Sequence, residues 1–373
     1  MSSPGSPPTL NGNVTLWGKL WILLTFLRFP LVLLYNLTVT RNSERNKHKS
    51  IARLIGDTAT RWVSSRLSGP QLQYYFGTSP KTYKAYIKAN KLPEVVDELS
   101  SGARLLWVGP KQTGNVLLYC HGGGFVTCLA DFHLSYCQHL KAELESRLDG
   151  KPVGIAVLEY SLAPDFPFPT QLRQLIAAVE HLFSTGVQPD KLHLIGDSAG
   201  ANLILQLLSH TLHPLPSELV PPSPLIGLSK KVRGIYLMSP WTGVTAGFPS
   251  SKANIDVEWV HQDLSIGMGQ LILKPVPESQ HVYIETAKAP KDWFSGVESI
   301  TDRILVTYGQ KECLVDPIKI VIEALQQYHS SVKVAVQEYG VHNDILQDLF
   351  AKEKKINSIA LTVDDWLANG YTT

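Results

Sequence analysis

Residues 194–203 read LIGDSAGANL, and this stretch decides the fold. The apolar run Leu192–Ile195 meets a helical pattern at Gly196-Asp197-Ser198-Ala199-Gly200. Small residues on both sides of the serine allow a sharp reversal, so the hydroxyl stands clear at the junction. The helix behind it points backbone N–H groups at any anion formed there. A tight packing turn is the plainer reading, so the rest of the chain has to decide between them.

Outward from this junction, short apolar runs alternate with helical stretches. The runs are Leu105–Val108, Val116–Cys120, Gly154–Leu158, Leu192–Ile195, Val232–Met238, Ile304–Thr307 and Val332–Val336. Leu172, Leu175, Ile176, Val179 and Phe183 share one helical face, as do Ile356, Ile359, Ala360, Val363 and Leu367. Such alternation predicts an α/β fold with a mainly parallel sheet covered on both faces. Between Ser239 and Thr301 it stops. There SPWTGVTAGFPSSK, VEWVHQDL and KDWFSGVES suggest a lid or pocket insertion, or else a scaffolding excursion.

Composition sets the outer bounds. The 373 residues hold 34 Lys and Arg against 32 Asp and Glu, a net charge of +2, which gives no reason to expect nucleic acid. No Cys-x-x-Cys pair or metal-like His/Cys spacing occurs, and no metal or cofactor is expected. Cys120, Cys128, Cys137 and Cys313 read as buried small hydrophobes, with Cys128–Cys137 the first pair to test for a disulfide.

The N-terminus differs from the body. Residues 1–13 are rich in Ser, Pro, Gly and Asn and are expected to be disordered. Then comes VTLWGKLWILLTFLRFPLVLLYNLTV, residues 14–39, of which Leu20–Val39 is 20 residues, about a bilayer's length. It has no small-residue cleavage pattern, so retention is expected. Arg28 and Pro30 spoil a plain crossing helix, whereas Trp17, Trp21 and Tyr35 suit an interface. Three readings stand: a kinked span, a monotopic segment with Arg28 snorkelling, and a helix docked on the protein's own core. Arg41, Arg45, Lys47, Lys49 and Arg53 follow the segment and only Lys19 precedes Leu20, which favours a cytosolic body. The sequons at Asn13 and Asn36 lie too near the segment to report compartment.

Three further elements suit chemistry at Ser198. His121-Gly-Gly-Gly124 follows the run Val116–Cys120 and can expose N–H groups to a developing oxyanion. The Gly-x4-Gly-Lys and Gly-x-Gly-x-x-Gly phosphate patterns are absent. His121 itself is expected to brace its loop. Among His261, His281, His329 and His342, the last sits just past a strand end, where a base belongs. The acid is expected in TYGQKECLVDPI, residues 307–318, as Glu312 or the alternative Asp316. The plainer role for Asp316 is to cap a helix beginning near Pro317.

Together YCHGGGF, YSLAPDFPFP, GDSAGAN and GQKECLVD resemble the hormone-sensitive-lipase branch of the α/β-hydrolases. That branch includes arylacetamide deacetylases and fungal steryl acetyl hydrolases. The 77-residue gap from His121 to Ser198 and the 30 residues from Glu312 to His342 fit it as well. The resemblance implies an α/β-hydrolase fold in which Ser198 is nucleophile, His342 base and Glu312 acid. It draws the oxyanion donors from Gly122, Gly123 and Gly124, with Ala199. Two departures stand out: relatives usually carry Asp where Glu312 stands, and Asp or Gly where Asn343 stands. The implied organisation is a tail at 1–13, a membrane segment at 14–40, a helical linker or cap at 41–100 and a catalytic domain at 101–373 with an insertion about 239–301. The implied activity is hydrolysis of lipophilic short-acyl esters, steryl acetates among them, by a membrane-associated serine esterase. An acylglycerol lipase and a non-catalytic ligand-binding relative are the alternatives. The resemblance favours the endoplasmic reticulum lumen, against the charge distribution, with a lipid droplet as a further location.

Overall fold

The computed structural model describes residues 14–43, 45–245, 247–353 and 357–372. The expected tail and Ile356 lie outside them. Strands β1 (Val96–Glu98), β2 (Arg104–Trp107), β3 (Val116–Cys120), β4 (Gly154–Glu159), β5 (Leu192–Asp197), β6 (Gly234–Met238), β7 (Ile304–Gly309) and β8 (Val332–Gln337) form an eight-stranded sheet in the order β1-β2-β4-β3-β5-β6-β7-β8. From β4 through β8 all pairings are parallel, while β1 and β2 join antiparallel at one edge. The α/β-hydrolase fold, mainly parallel, is therefore present.

Side-chain alternation builds two cores. In β3, Val116, Leu118 and Cys120 enter one apolar cluster, and Leu117 and Tyr119 enter the other. The helices, in chain order, are α1 (Leu16–Thr38), α2 (Ile51–Ser64), α3 (Gly69–Phe76), α4 (Ser79–Ala89), α5 (Asp131–Arg147), α6 (Thr170–Ser184), α7 (Ala199–Leu212), α8 (Pro249–Ala253), α9 (Gln262–Leu273), α10 (His281–Ile284), α11 (Val315–Tyr328), α12 (Asp344–Phe350) and α13 (Ser358–Thr372). The first cluster takes residues from α6, α7 and α11, the second from α4, α5, α12 and α13. Both faces are thus covered, as a parallel sheet requires. All four cysteines are buried and free, so Cys128 and Cys137 are not joined.

The N-terminal helix is long and apolar enough to cross a membrane. Pro30 lies inside it without dividing it into two helices. One face rests on the body. Trp62 Nε1 donates to Thr25 O at 2.9 Å, Trp21 Nε1 to Arg66 O at 2.9 Å and Gln71 Nε2 to Gly18 O at 3.2 Å, and Phe26 stacks on Tyr75. The other face is bare: Leu16, Leu20, Leu23, Leu27, Leu31 and Leu34 form an exposed stripe at helical spacing. Behind α1, Arg53 of α2 is buried among Asp57, Asp344 and Asp348, fastening α2 to α12.

Between Ser239 and Thr301 the chain forms α8 to α10 and short 3-10 turns, with no named strand among the described residues. Part of this segment is core, including Trp241, Ile284, Phe294 and Val297. Another part reaches the loops described next.

Candidate active site

Ser198 is the single residue between β5 and α7, at φ 51° and ψ −113°. This backbone shape is unusual for a residue with a Cβ. It is held by Ser198 N donating to Met238 O at 2.9 Å and Trp241 N donating to Ser198 O at 3.1 Å. Gly200 permits the approach behind it, because a Cβ there would collide with the Cys120 carbonyl.

His342 follows β8 and reaches back to the serine: Nε2 lies 2.9 Å from Ser198 Oγ, and Nδ1 lies 3.0 Å from Glu312 Oε2. Ser198, His342 and Glu312 are all buried, Glu312 completely. Glu312 Oε1 also accepts from Ser239 Oγ at 2.5 Å and Gly309 N at 2.6 Å, which locks the carboxylate plane. Burial works against a charged imidazole. The hydrogen bond and charge of Glu312 outweigh it, aided by Glu258 and Asp197, so His342 is raised above the ordinary histidine value.

Asp316 stands elsewhere. Helix α11 begins at Val315, so Asp316 lies in the first turn and is not the residue capping it. Its Oδ2 accepts from Ser250 N at 2.7 Å. His329 Nε2 meets Thr301 O at 3.0 Å, His281 Nε2 meets Val276 O at 2.9 Å, and His261 caps α9; none of these bonds involves Ser198.

The glycine loop, tied through Gly122 to Asp197 beside Ser198, has φ +106° at Gly123 and +62° at Gly124. Among the described hydrogen bonds, none uses the N–H of Gly123, Gly124 or Ala199. Gly122 is a correction to the expected donor set, because its N–H is already committed to Asp197 Oδ1 at 2.8 Å. His121 Nδ1 lies 2.7 Å from Gly122 O and the ring stacks on Tyr160. Burial, with the nearby His133, pushes His121 down to about 3, so it stays neutral.

Sequence reasoning missed three participants. Asp197 holds Gly122 N, accepts from Tyr119 Oη at 2.7 Å, and accepts from Asn343 Nδ2 at 2.7 Å, joining the glycine loop to the histidine loop. Burial alone would raise its carboxyl, but His133 and these donors hold it below the usual range. Ser239 supports Glu312 and accepts from Asn343 N at 3.1 Å. Glu258 sits under both loops. The only signals for these were a polar residue beside the serine and a serine before Pro-Trp, each too common to single out.

A narrow cleft opens at His342, lined by Val244, Phe248, Val260, Ile266 and Leu314 among others. Met268 of α9 closes over Gly124 so tightly that a Cβ there would strike its sulfur. Among the described residues no group of His, Cys, Asp and Glu is suited to hold a metal ion.

A family model described as alpha/beta hydrolase fold matches residues 117–345. The chain belongs to that family. The matched stretch of this α/β-hydrolase runs from β3 into α12 and so includes Ser198, Glu312 and His342. Among curated proteins it is 35% identical over 127 residues to an acetyl-hydrolase of Streptomyces hygroscopicus, covering 33% of this chain and 40% of that protein. It is 35% identical over 113 residues to human hormone-sensitive lipase, covering 28% and 10%. It is 30% identical over 149 residues to the carboxylesterase/phospholipase LipF of Mycobacterium tuberculosis, covering 39% and 37%. The chain thus spans 40% or less of each relative's length. Among solved structures, an esterase/lipase from an uncultured bacterium superposes with TM-score 0.62 at 20% identity, over 87% of this chain and 100% of that one. A hormone-sensitive lipase from a metagenome library gives 0.60 at 19%, over 84% and 97%. These two likenesses establish the fold.

Proposed function

We propose that the protein is a serine carboxylic ester hydrolase of the hormone-sensitive-lipase type. The observation that carries the reading is the chain Ser198 Oγ, His342, Glu312 at 2.9 and 3.0 Å. His342 takes the Ser198 proton as Oγ attacks the ester carbonyl. The N–H groups of Gly123, Gly124 and Ala199 receive the oxyanion, a contribution of about 3 kcal/mol per donor. His342 then protonates the departing alcohol, and water repeats the sequence to free the acid. Glu312 sets the imidazole tautomer and stabilises its charged form. A non-catalytic relative would have no need of a serine held in strained backbone at hydrogen-bond distance from a base.

The preferred substrates in this reading are lipophilic esters of short acids, steryl acetates among them. Support for short acids comes from the acetyl-hydrolase likeness, and Met268 packs close against Gly124 of the proposed oxyanion loop. The hormone-sensitive lipase likeness supports acylglycerols as the alternative. With the purified protein, hydrolysis of p-nitrophenyl acetate and cholesteryl acetate is expected to exceed that of p-nitrophenyl palmitate and trioleoylglycerol by about tenfold or more in kcat/KM, since a pocket that excludes extra methylenes discriminates on that order. Faster trioleoylglycerol hydrolysis would favour the lipase, and no hydrolysis of any ester would end the enzyme reading.

The same reading assigns α1 to one leaflet of a membrane. Its leucine stripe is bare, Lys19 and Arg28 are exposed on it, and it has no acidic residue. Its inner face is fastened to α2 and α3, so a crossing orientation would drag the body, with the buried Arg53 cluster, into lipid. Tags at the N- and C-termini are therefore expected on the same side of sealed vesicles, both cleaved by added protease or both protected. Protection of one tag only would make α1 a span. Leu23→Lys with Leu27→Lys is expected to release the protein from vesicles.

A further inference from the structure

The segment Val257–Leu264, VEWVHQDL, places a second carboxylate beside the His342–Glu312 pair. Glu258 is 1% exposed. Its Oε1 accepts from Trp259 N at 2.7 Å and from His342 N at 3.2 Å; its Oε2 accepts from His342 N at 3.2 Å and from Cys313 N at 3.2 Å. Cys313 directly follows Glu312, so one carboxylate holds the backbone at both the acid and the base. The neighbouring Trp259 completes the grip, with Nε1 donating to His342 O at 2.7 Å. Both backbone polar groups of His342 are therefore satisfied by two consecutive residues of the insertion. Asn254 adds a bond from Nδ2 to Glu312 O at 2.8 Å, and Arg61 of α2 donates to the Glu258 carbonyl.

We propose that Glu258 is a positioning residue, whose buried carboxylate fixes the loop bearing His342 against the loop bearing Glu312. The inference rests on the hydrolase reading above. Two independent loops meet at a triad only if something sets their separation, and an error near 1 Å costs about 100-fold in rate. Glu258 supplies that setting from a third segment. Its charge also favours the protonated imidazole. Burial, with Glu312 beside it, pushes Glu258 up to about 7, against the pull of His342 and the backbone N–H groups. The other titratable and charged groups facing this pair are Glu312, Asp197, Cys313, Arg61 and Arg45.

The test compares wild type with Glu258→Gln and Glu258→Asp on p-nitrophenyl acetate, with rates referred to sites titrated by diethyl p-nitrophenyl phosphate. Wild-type turnover and titration test the hydrolase reading by themselves, and their absence would sink that reading alone. Glu258→Gln keeps the volume but removes the charge and sets an amide N–H against backbone donors. It is expected to lower kcat per titrated site about 10–100-fold and to move the acidic limb of kcat/KM down by about one pH unit. Glu258→Asp keeps the charge but withdraws it by one methylene. It is expected to lower kcat with the limb in place. Protein labelled with 15N-histidine gives the His342 ring titration without substrate, and the Gln variant is expected to move its midpoint down as well. Unchanged kcat in both variants, or an unmoved limb and ring titration in the Gln variant, would overturn the inference. The second of these results would mean that the carboxylate is merely structural.

Discussion

Ser198→Ala is expected to lower kcat for p-nitrophenyl acetate by about 10⁵–10⁶-fold, the scale seen when a triad nucleophile is deleted. At 1.36 kcal/mol per decade this is about 7–8 kcal/mol of barrier. The substitution is clean, because alanine keeps the Cβ already present at φ 51° and removes only an oxygen bonded to His342. The backbone bonds to Met238 and Trp241 remain, so the fold is expected to persist at its wild-type melting temperature. Residual hydrolysis should reflect the unpaired N–H groups of Gly123, Gly124 and Ala199 acting on water attack. A variant within tenfold of wild type would place the nucleophile elsewhere and end the proposal.

The second large effect separates the two candidate acids. Glu312→Ala is expected to cost about 10³–10⁴-fold in kcat, because the imidazole loses both its orientation and the anion that stabilises its charged form. Asp316→Ala is expected to stay within tenfold, since its carboxylate serves Ser250 N and not His342. Glu312→Ala also strips the acceptor from Ser239 Oγ and Gly309 N. Each buried donor left unpaired costs about 1–3 kcal/mol of stability. Glu312→Gln is therefore the companion variant: it keeps the volume, and its expected loss of activity with a nearly wild-type melting temperature separates chemistry from folding. If Asp316→Ala lost more activity than Glu312→Ala, the assignment would be reversed.

The sheet was legible because buried strands announce themselves as short apolar runs, and seven of them lie where β2 to β8 run. Strand β1 was not legible. Val96-Asp97-Glu98 sits at an edge, where one neighbour and partial exposure remove the need for apolar side chains. The mutual approach of Ser198, His342 and Glu312 followed from placing each at the end of a strand in a parallel sheet, since such ends lie on one rim. The supports were hidden for a different reason. Asp197 and Asn343 are 146 positions apart, and Glu258 and His342 are 84 apart. No periodicity links such pairs, because tertiary packing alone brings them together. Gly122 was misread because a glycine run exposes several N–H groups, and only the neighbouring carboxylate decides which is already taken. The N-terminal segment was legible as apolar, but its two faces could be told apart only once α2 and α3 lay against one of them.

The buried guanidinium of Arg53 has a practical corollary for anyone trimming the chain for crystals. It neutralises Asp344 and Asp348, which begin two residues after His342, and Lys49 shares its partner Asp57 at 2.6 Å. Cutting after α2 would remove Arg53 together with Asp57 and strand two carboxylates, Asp344 and Asp348, close to the imidazole. A cut placed ahead of Lys49 discards the apolar α1 and leaves that counterion in its socket.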